Sequence, residues 1–451
     1  MRLKTKTTCA PTAPIWRRWN TPGRLPPCRI RRRIGSISCV ALSRRPLPTA
    51  IFSPKPTGLG SISITSPGKK RKSGSPRCSR YRPSLKKSLN TYRPCSNPTV
   101  ILRRTAMAKN GFKAMDSDMH VFEPADLWER YIDKRYLARA PKGLNRSFRD
   151  LGIEVEGKIL PIPRNPENPA LAKYRQDFFE EKYGDAGKRG FDGVSQLQAM
   201  DKEGLDIAVM FPTRALTALG IDGLDPDFAT AIARAYNDWL HDFVQADPKR
   251  MFGVAMVAPH DISGSIEEIR RTVKEYEFRG IFLRPNHVNN KKWSDPYYDP
   301  LWAECEKLDL PVGFHEAGRV YLPQPAFFHI CSTFSMFNTF GFPFANMLAC
   351  GDMIFGGVME RFPKLKVAFL EGNCSWVPWL LWRMGEYAET TGQAEYPELK
   401  LTPLEYFQRN CYGAVECDEI TAKHIPEYGL EDNMVFSTDY PHLDVKYPHA
   451  I

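Results

Sequence analysis

The chain has 451 residues, enough for two or three average domains or for one large barrel with an appendage. At 42% hydrophobic and 25% charged residues it is neither collagen-like, nor disordered throughout, nor a small disulfide-stapled fold. No stretch approaches the run of about 18 apolar residues that a membrane-spanning helix requires. The net charge of +12 conceals two compositions.

Residues 1–106 carry 25 Lys+Arg and 14 Pro with no Asp, Glu or His, which leaves 38 of the 63 bases and all 51 acids, a net −13, for residues 107–451. So basic, Pro/Ser/Arg-rich and aperiodic a segment buries too little apolar surface to offset ordering entropy, and is expected to be disordered. Three readings compete for it. Runs such as Lys69-Lys70-Arg71-Lys72 suit a nucleic-acid tail, a weaker reading. Arg and Ser richness without acids suits an organelle transit sequence. The reading preferred here is a mis-assigned start, because a strand pattern begins directly after Met107. The chain then divides into 1–106 and a folded domain at 107–451.

From Met107 onward, apolar runs alternate with amphipathic ones. Strands are predicted at 113–120, 207–212, 252–259, 280–285, 311–316, 367–372, 411–415 and 434–439. Helices are predicted at 194–203, 226–246, 265–278, 300–308, 347–361, 376–389 and 403–408, with 420–428 before the last strand. Ile207-Ala208-Val209-Met210-Phe211 and Val367-Ala368-Phe369-Leu370 are almost continuously apolar, as in parallel strands buried on both faces. Eight strands alternating with helices predict an α/β fold, a (β/α)8 TIM barrel, over a doubly wound sheet; no GxGxxG follows any strand. Between the first two strands lies an insertion, with a hairpin around Glu156-Gly157, expected to form a lobe over the barrel mouth that works with Trp128 as a lid. So few residues follow Asp439 that the last outer helix is expected to be missing, as in a C-terminally truncated chain.

Active sites of such barrels lie at the carboxyl ends of the strands, and polar residues gather there. Alternation along the first strand places Asp116, Asp118 and His120 on one side. Later strands end in Arg284, His315-Glu316, Glu371 and Ser437-Thr438-Asp439, the last followed by Pro441-His442. Asp118, His120, His315 and Asp439 therefore form a candidate set of two imidazoles and two carboxylates for zinc or another divalent ion. Among the other histidines, His241 is expected on a helix surface, while His260, His287 and His329 are weaker site candidates. The six cysteines after Met107 form no CxxC pair and are expected to be small buried hydrophobes of a cytoplasmic protein.

Asp116–Trp128, Met200–Asp206, Leu310–Glu316, Glu360–Lys366 and Ser437–His442 together resemble the amidohydrolase superfamily, in the amidohydrolase-related branch that includes aminocarboxymuconate-semialdehyde decarboxylase. The resemblance spans residues 113–451. It implies one divalent metal, zinc by preference and manganese as the alternative, held by Asp118, His120, His315 and Asp439. Asp118 stands where the family often has histidine, and Glu371 where several relatives have the sixth-strand histidine. Arg284 stands at the end of the fourth strand in place of a lysine that, carboxylated, would bridge two metals. The implied activity is hydrolysis or non-oxidative decarboxylation of a small carboxylated or cyclic substrate. Asp439 would then be general base or proton donor, Arg284 the fork for a substrate carboxylate and Glu371 a proton shuttle. A homodimer is the implied assembly. The contrasting reading is an inactive, truncated fragment of such an enzyme.

Overall fold

A computed structural model of the protein describes residues 111–147, 150–161, 168–315 and 333–451. The segment 1–106, with its competing readings, lies outside the described residues, as do Glu316, His329 and Cys331.

The described chain is a mixed α/β fold built on parallel strands. β1 (Met115–His120) pairs in parallel with β5 (Ile207–Phe211), and β5 with β6 (Met251–Gly253). After the single residue Val254, β7 (Ala255–Met256) opens a second parallel sheet. It continues through β8 (Ile281–Leu283), β9 (Val312–His315), β10 (Val367–Leu370), β11 (Cys411–Glu416) and β12 (Met434–Ser437), each beside its predecessor. The chain after β12 returns to β1: Asp439 donates its backbone N–H to the Asp118 carbonyl (3.2 Å), and His120 donates to the Tyr440 carbonyl (2.8 Å). All eight predicted strands are present; the third is split into β6 and β7.

Helices separate the strands. Pro226–Val244 and Ile262–Tyr276 start where Asp225 and Asp261 accept the backbone N–H groups of Phe228 and Gly264 (2.9 Å each), satisfying donors that a helix start leaves orphaned. Pro403–Asn410 opens on a capping box of Thr402 and Glu405. Apolar stripes of these helices pack on the strands, and one continuous buried core draws on residues from Met119 to Val445.

The insertion between β1 and β5 holds the expected hairpin, β3 (Ile153–Val155) against β4 (Lys158–Leu160), edged by β2 (Lys142–Gly143). Its turn, Glu156-Gly157, has φ of 49° and 73°, the left-handed pair that a two-residue hairpin demands. The insertion also contains a helix, Pro169–Lys188, that periodicity did not reveal because its residues are polar on nearly every face and only Phe179 and Tyr183 are buried. Arg214, just after β5, donates to the carbonyls of Leu144 (2.7 Å) and Gly152 (3.4 Å) and so ties the insertion to that strand's carboxyl end. Gly143 is required there, since a Cβ would lie 2.5 Å from the Ala125 Cα and 2.8 Å from its carbonyl oxygen, backbone atoms that cannot give way.

Three expectations need correction. The helix predicted at 347–361 begins far earlier, as Phe334–Phe355, and breaks at Gly356-Gly357 before Val358–Arg361; Gly357 has φ +73°, which stops the first helix. Residues 420–428 form a 3-10 rather than an α-helix, with Pro426 inside it. Trp128 is no lid: it is fully buried and its Nε1 donates to the Ile232 carbonyl (3.3 Å) of helix Pro226–Val244. No helix follows β12 among the described residues.

Candidate metal centre

β1, β9 and the turn after β12 carry Asp118, His120, His315 and Asp439 to one place. One ligand atom from each of these four buried residues lies within 4.8 Å of all the others. His120 Nε2 stands 3.1 Å from Asp439 Oδ1 and 3.7 Å from Asp118 Oδ1, and His315 Nε2 stands 3.1 Å from Asp118 Oδ1. The rings pack edge to face with centroids 4.6 Å apart, and Phe211 stacks on His315 at 5.5 Å.

The outer nitrogens fix the orientation. His120 Nδ1 lies 2.7 Å from the Pro212 carbonyl, which only accepts, so this nitrogen carries a proton. His315 Nδ1 faces Glu371 Oε2 at 3.4 Å. Both neutral imidazoles then point the Nε2 lone pair at carboxylate oxygens. Lone pair against carboxylate is repulsive, and a cation between them makes all four groups partners. Both oxygens of Asp118, Nε2 of His120 and Oδ1 of Asp439 are buried without a hydrogen bond of good geometry. Burial pushes the Asp118 carboxyl up to about 8, and the Asp439 carboxylate beside it adds to the rise. Burial would raise Asp439 too, but the His442 charge and the hydrogen bond from its Nδ1 hold it well below the usual carboxylate range. Donor types, orphaned oxygens and imidazoles braced from behind fit a divalent cation.

Further residues surround these four. Asp116, also buried, accepts hydrogen bonds from Thr438 Oγ1, from the backbone N–H of Thr438 (3.3 Å) and from that of Asp118 (3.0 Å), and so pins the turn after β12 to β1. Glu371 and Asp439 both adopt left-handed backbone, with φ of 53° and 55°. Non-glycine residues seldom hold this conformation unless the surroundings enforce it, and it occurs disproportionately at functional sites. His442, which the sequence reading quoted but gave no role, contacts Asp439 Oδ2 (2.8 Å) and Glu371 Oε1 (3.4 Å). Glu123, likewise missed, is buried and accepts the backbone N–H groups of Thr213 (3.1 Å), Arg214 (2.7 Å) and Ala215 (3.3 Å), fixing the loop after β5.

Arg284 does not join the cluster. It is buried, donates to the Leu216 carbonyl (3.3 Å) and Asn286 Oδ1 (2.9 Å), and borders a small cavity of about 10 Å³ shared with Leu216, Leu219, Val257, Phe282 and Trp293. Phe282 connects cavity and cluster, its ring 6.4 Å from that of His315. Of the weaker candidates, His260 is buried with Nε2 2.7 Å from the Ile221 carbonyl and His287 faces Asp352 at 3.5 Å; His241, expected on a helix surface, is half-buried and stacks on Tyr276 at 4.0 Å. Cys305, Cys350, Cys374 and Cys411 are buried as expected, whereas Cys417 is exposed. No helix among the described residues is long and apolar enough to cross a membrane.

Parallel strands whose carboxyl ends present histidines and aspartates to one point define a metal-dependent enzyme of the amidohydrolase class. The family model for amidohydrolases matches residues 115–451, and the chain belongs to that family, in the branch of the semialdehyde decarboxylase. Dictyostelium discoideum 2-amino-3-carboxymuconate-6-semialdehyde decarboxylase is 28% identical over 264 residues, 56% of this chain and 67% of the relative. A crystal structure of an amidohydrolase from Mycobacterium avium subsp. paratuberculosis shares the fold at a TM-score of 0.56 and 21% identity, covering 73% of this chain and 89% of that one. A 5-carboxyvanillate decarboxylase from Novosphingobium aromaticivorans, solved with bound manganese and a nitrobenzoic acid, superposes with a TM-score of 0.51 at 18% identity, over 77% of this chain and 89% of that one.

Proposed function

We propose that the chain is a non-oxidative decarboxylase of a small carboxylated aromatic or cyclic compound, with one divalent cation held by Asp118, His120, His315 and Asp439. The observation carrying this reading is the convergence of those four buried groups with their lone pairs facing one another. The decarboxylase names of the relatives from Dictyostelium and Novosphingobium support it. Two imidazoles and two carboxylates accept zinc or manganese, zinc being the first choice from the donor set. The parallel strands close, in this reading, as a (β/α)8 barrel through the β1–β12 hydrogen bonds.

When bound, the cation supplies Lewis-acid polarisation and a fixed point for orienting substrate. Arg284, buried beside Leu216 and Phe282, holds a substrate carboxylate in its guanidinium fork. Decarboxylation breaks the bond between ring carbon and carboxylate, leaves the electron pair on the ring carbon and replaces the lost group with a proton. Asp439 delivers that proton. Glu371 relays protons behind His315. The chemistry resides in residues 107–451, and 1–106 takes no part.

A panel of aromatic carboxylic acids, esters and amides tests this reading, with carbon dioxide release and hydrolysis products measured in parallel. Carbon dioxide evolution with the matching decarboxylated product is expected; hydrolysis without carbon dioxide would move the enzyme to the hydrolase reading. Met336, Phe340, Phe344 and Leu348 form an exposed row at four-residue spacing on helix Phe334–Phe355, the face that a homodimer would cover.

A further inference from the structure

We infer that His442 is a positioning residue for the cation site, the clasp through which Glu371 and Asp439 hold each other in register. The inference rests on the cluster being that site. Its observations are geometric. The His442 ring lies against the His120 ring, centroids 4.1 Å apart and planes tilted by 37°, and its side chain is only 12% exposed. Nδ1 faces two oxygens at once, Asp439 Oδ2 at 2.8 Å and Glu371 Oε1 at 3.4 Å. Ionised carboxylates only accept, so Nδ1 must carry a proton and donate it to that pair.

The consequence runs through both carboxylates. Asp439 has one oxygen for His442 and the other, Oδ1, for the cluster, 3.1 Å from His120 Nε2. Holding Oδ2 therefore aims Oδ1. Glu371 divides itself in the same way: Oε1 faces His442 and Oε2 faces His315 Nδ1 at 3.4 Å. One ring thus connects a ligand on β9 with a ligand after β12, passing through a residue after β10. Glu371 and Asp439 both sit in left-handed backbone, a conformation that their surroundings must enforce. His442 supplies part of that enforcement and shields the pair from water. Groups that brace a ligand from behind in this way commonly change metal affinity by about 10–100-fold when removed.

The test titrates Mn2+ alone into the metal-stripped full chain and into full-length His442→Phe, His442→Asn and His315→Ala. Affinity and stoichiometry are the readouts, with circular dichroism to verify folding. Asparagine keeps an N–H donor near the place of Nδ1; phenylalanine keeps the ring and loses the donor. The clasp requires Mn2+ affinity to fall about 10–100-fold in His442→Phe and to recover most of that loss in His442→Asn. Parent-like affinity in a folded His442→Phe chain would overturn it. So would a second Mn2+ ion in the parent chain that vanishes in His442→Phe, which would make His442 a ligand in its own right. Failure of the underlying reading looks different: His315→Ala would then bind Mn2+ as the parent does. Should His442→Phe not fold, a folded Glu371→Gln chain decides, with weakened Mn2+ affinity required and parent-like affinity overturning the clasp.

Discussion

Two of the carboxylates that this molecule withdraws almost completely from water, Glu268 and Asp118, are treated in opposite ways. Glu268, on helix Ile262–Tyr276, is 1% exposed and surrounded by donors: Asn237 Nδ2 at 2.9 Å, Arg271 Nη2 at 2.6 Å and Nε at 2.8 Å, and Arg234 Nε at 3.1 Å. Asp118, on β1, is wholly buried among two imidazoles and a second carboxylate, and neither oxygen has a hydrogen bond of good geometry. Burying a charge costs several kcal/mol unless a partner compensates, so both sites need positive charge. The protein supplies it at Glu268 from its own arginines. At Asp118 it supplies a shaped space and more negative charge, which is the signature of a site completed from outside.

The comparison can be broken or sharpened experimentally. The largest effect is expected for His315→Ala and Asp118→Asn, each of which should reduce the metal content of the purified chain to background while the fold persists; elemental analysis with circular dichroism checks this. Glu268→Ala should do the reverse. It takes their shared acceptor from Asn237 and Arg234, leaves Arg271 only the Asp238 carboxylate, and should cost about 1–3 kcal/mol in denaturant unfolding, while the folded fraction keeps its metal. Metal loss in that variant would erase the distinction between the two carboxylates.

Arg284→Lys should leave metal content unchanged and raise KM on the order of tenfold, because an ammonium cannot reproduce a two-pronged donor. An unaltered KM would make Arg284 a structural bracket for the Leu216 carbonyl and Asn286. The smallest effect concerns Asp352, an internally satisfied group like Glu268. Although burial opposes it, hydrogen bonds from His287 and from Ser294 hold the Asp352 carboxyl below its ordinary range. A depressed carboxyl stabilises the fold above its unfolded pKa of about 3.9 and loses that contribution as pH falls through the folded value. Asp352→Asn should therefore cost about 1–2 kcal/mol near neutrality, and the difference from the parent should shrink steadily on acidification. A pH-independent difference would contradict the assignment.

Much of this arrangement was legible in the sequence. Uninterrupted apolar runs such as Val367-Ala368-Phe369-Leu370 identify strands covered on both faces. Alternation along β1 puts Asp116, Asp118 and His120 on one side; Asp118 and His120 meet in the cluster, whereas Asp116, across an irregularity in the β1–β5 register, pins the turn after β12. His315 and Asp439 stand out because a polar residue directly after an apolar strand has few places to go except the strand-end site. Other features lacked any such periodic signal. Trp128 follows a site strand and looks available for a lid, yet its indole found a backbone carbonyl on the neighbouring helix. The helix Phe334–Phe355 is apolar almost all round, carries Pro343 inside, and so shows neither clear amphipathicity nor a clean start. Glu371 and His442 escaped full interpretation for a conformational reason. Left-handed backbone at Glu371 and Asp439 redirects the chain, so alternation stops predicting where side chains point. The tie between Asp116 and Thr438 links residues 322 positions apart, which no local pattern registers.

The most direct measurement is anomalous diffraction from crystals of the full chain grown with manganese chloride. Cation binding at the strand ends requires one strong peak at roughly 2.0–2.3 Å from Asp118, His120, His315 and Asp439 together. A map with manganese bound elsewhere, or with none between those four side chains at saturating concentration, would contradict it.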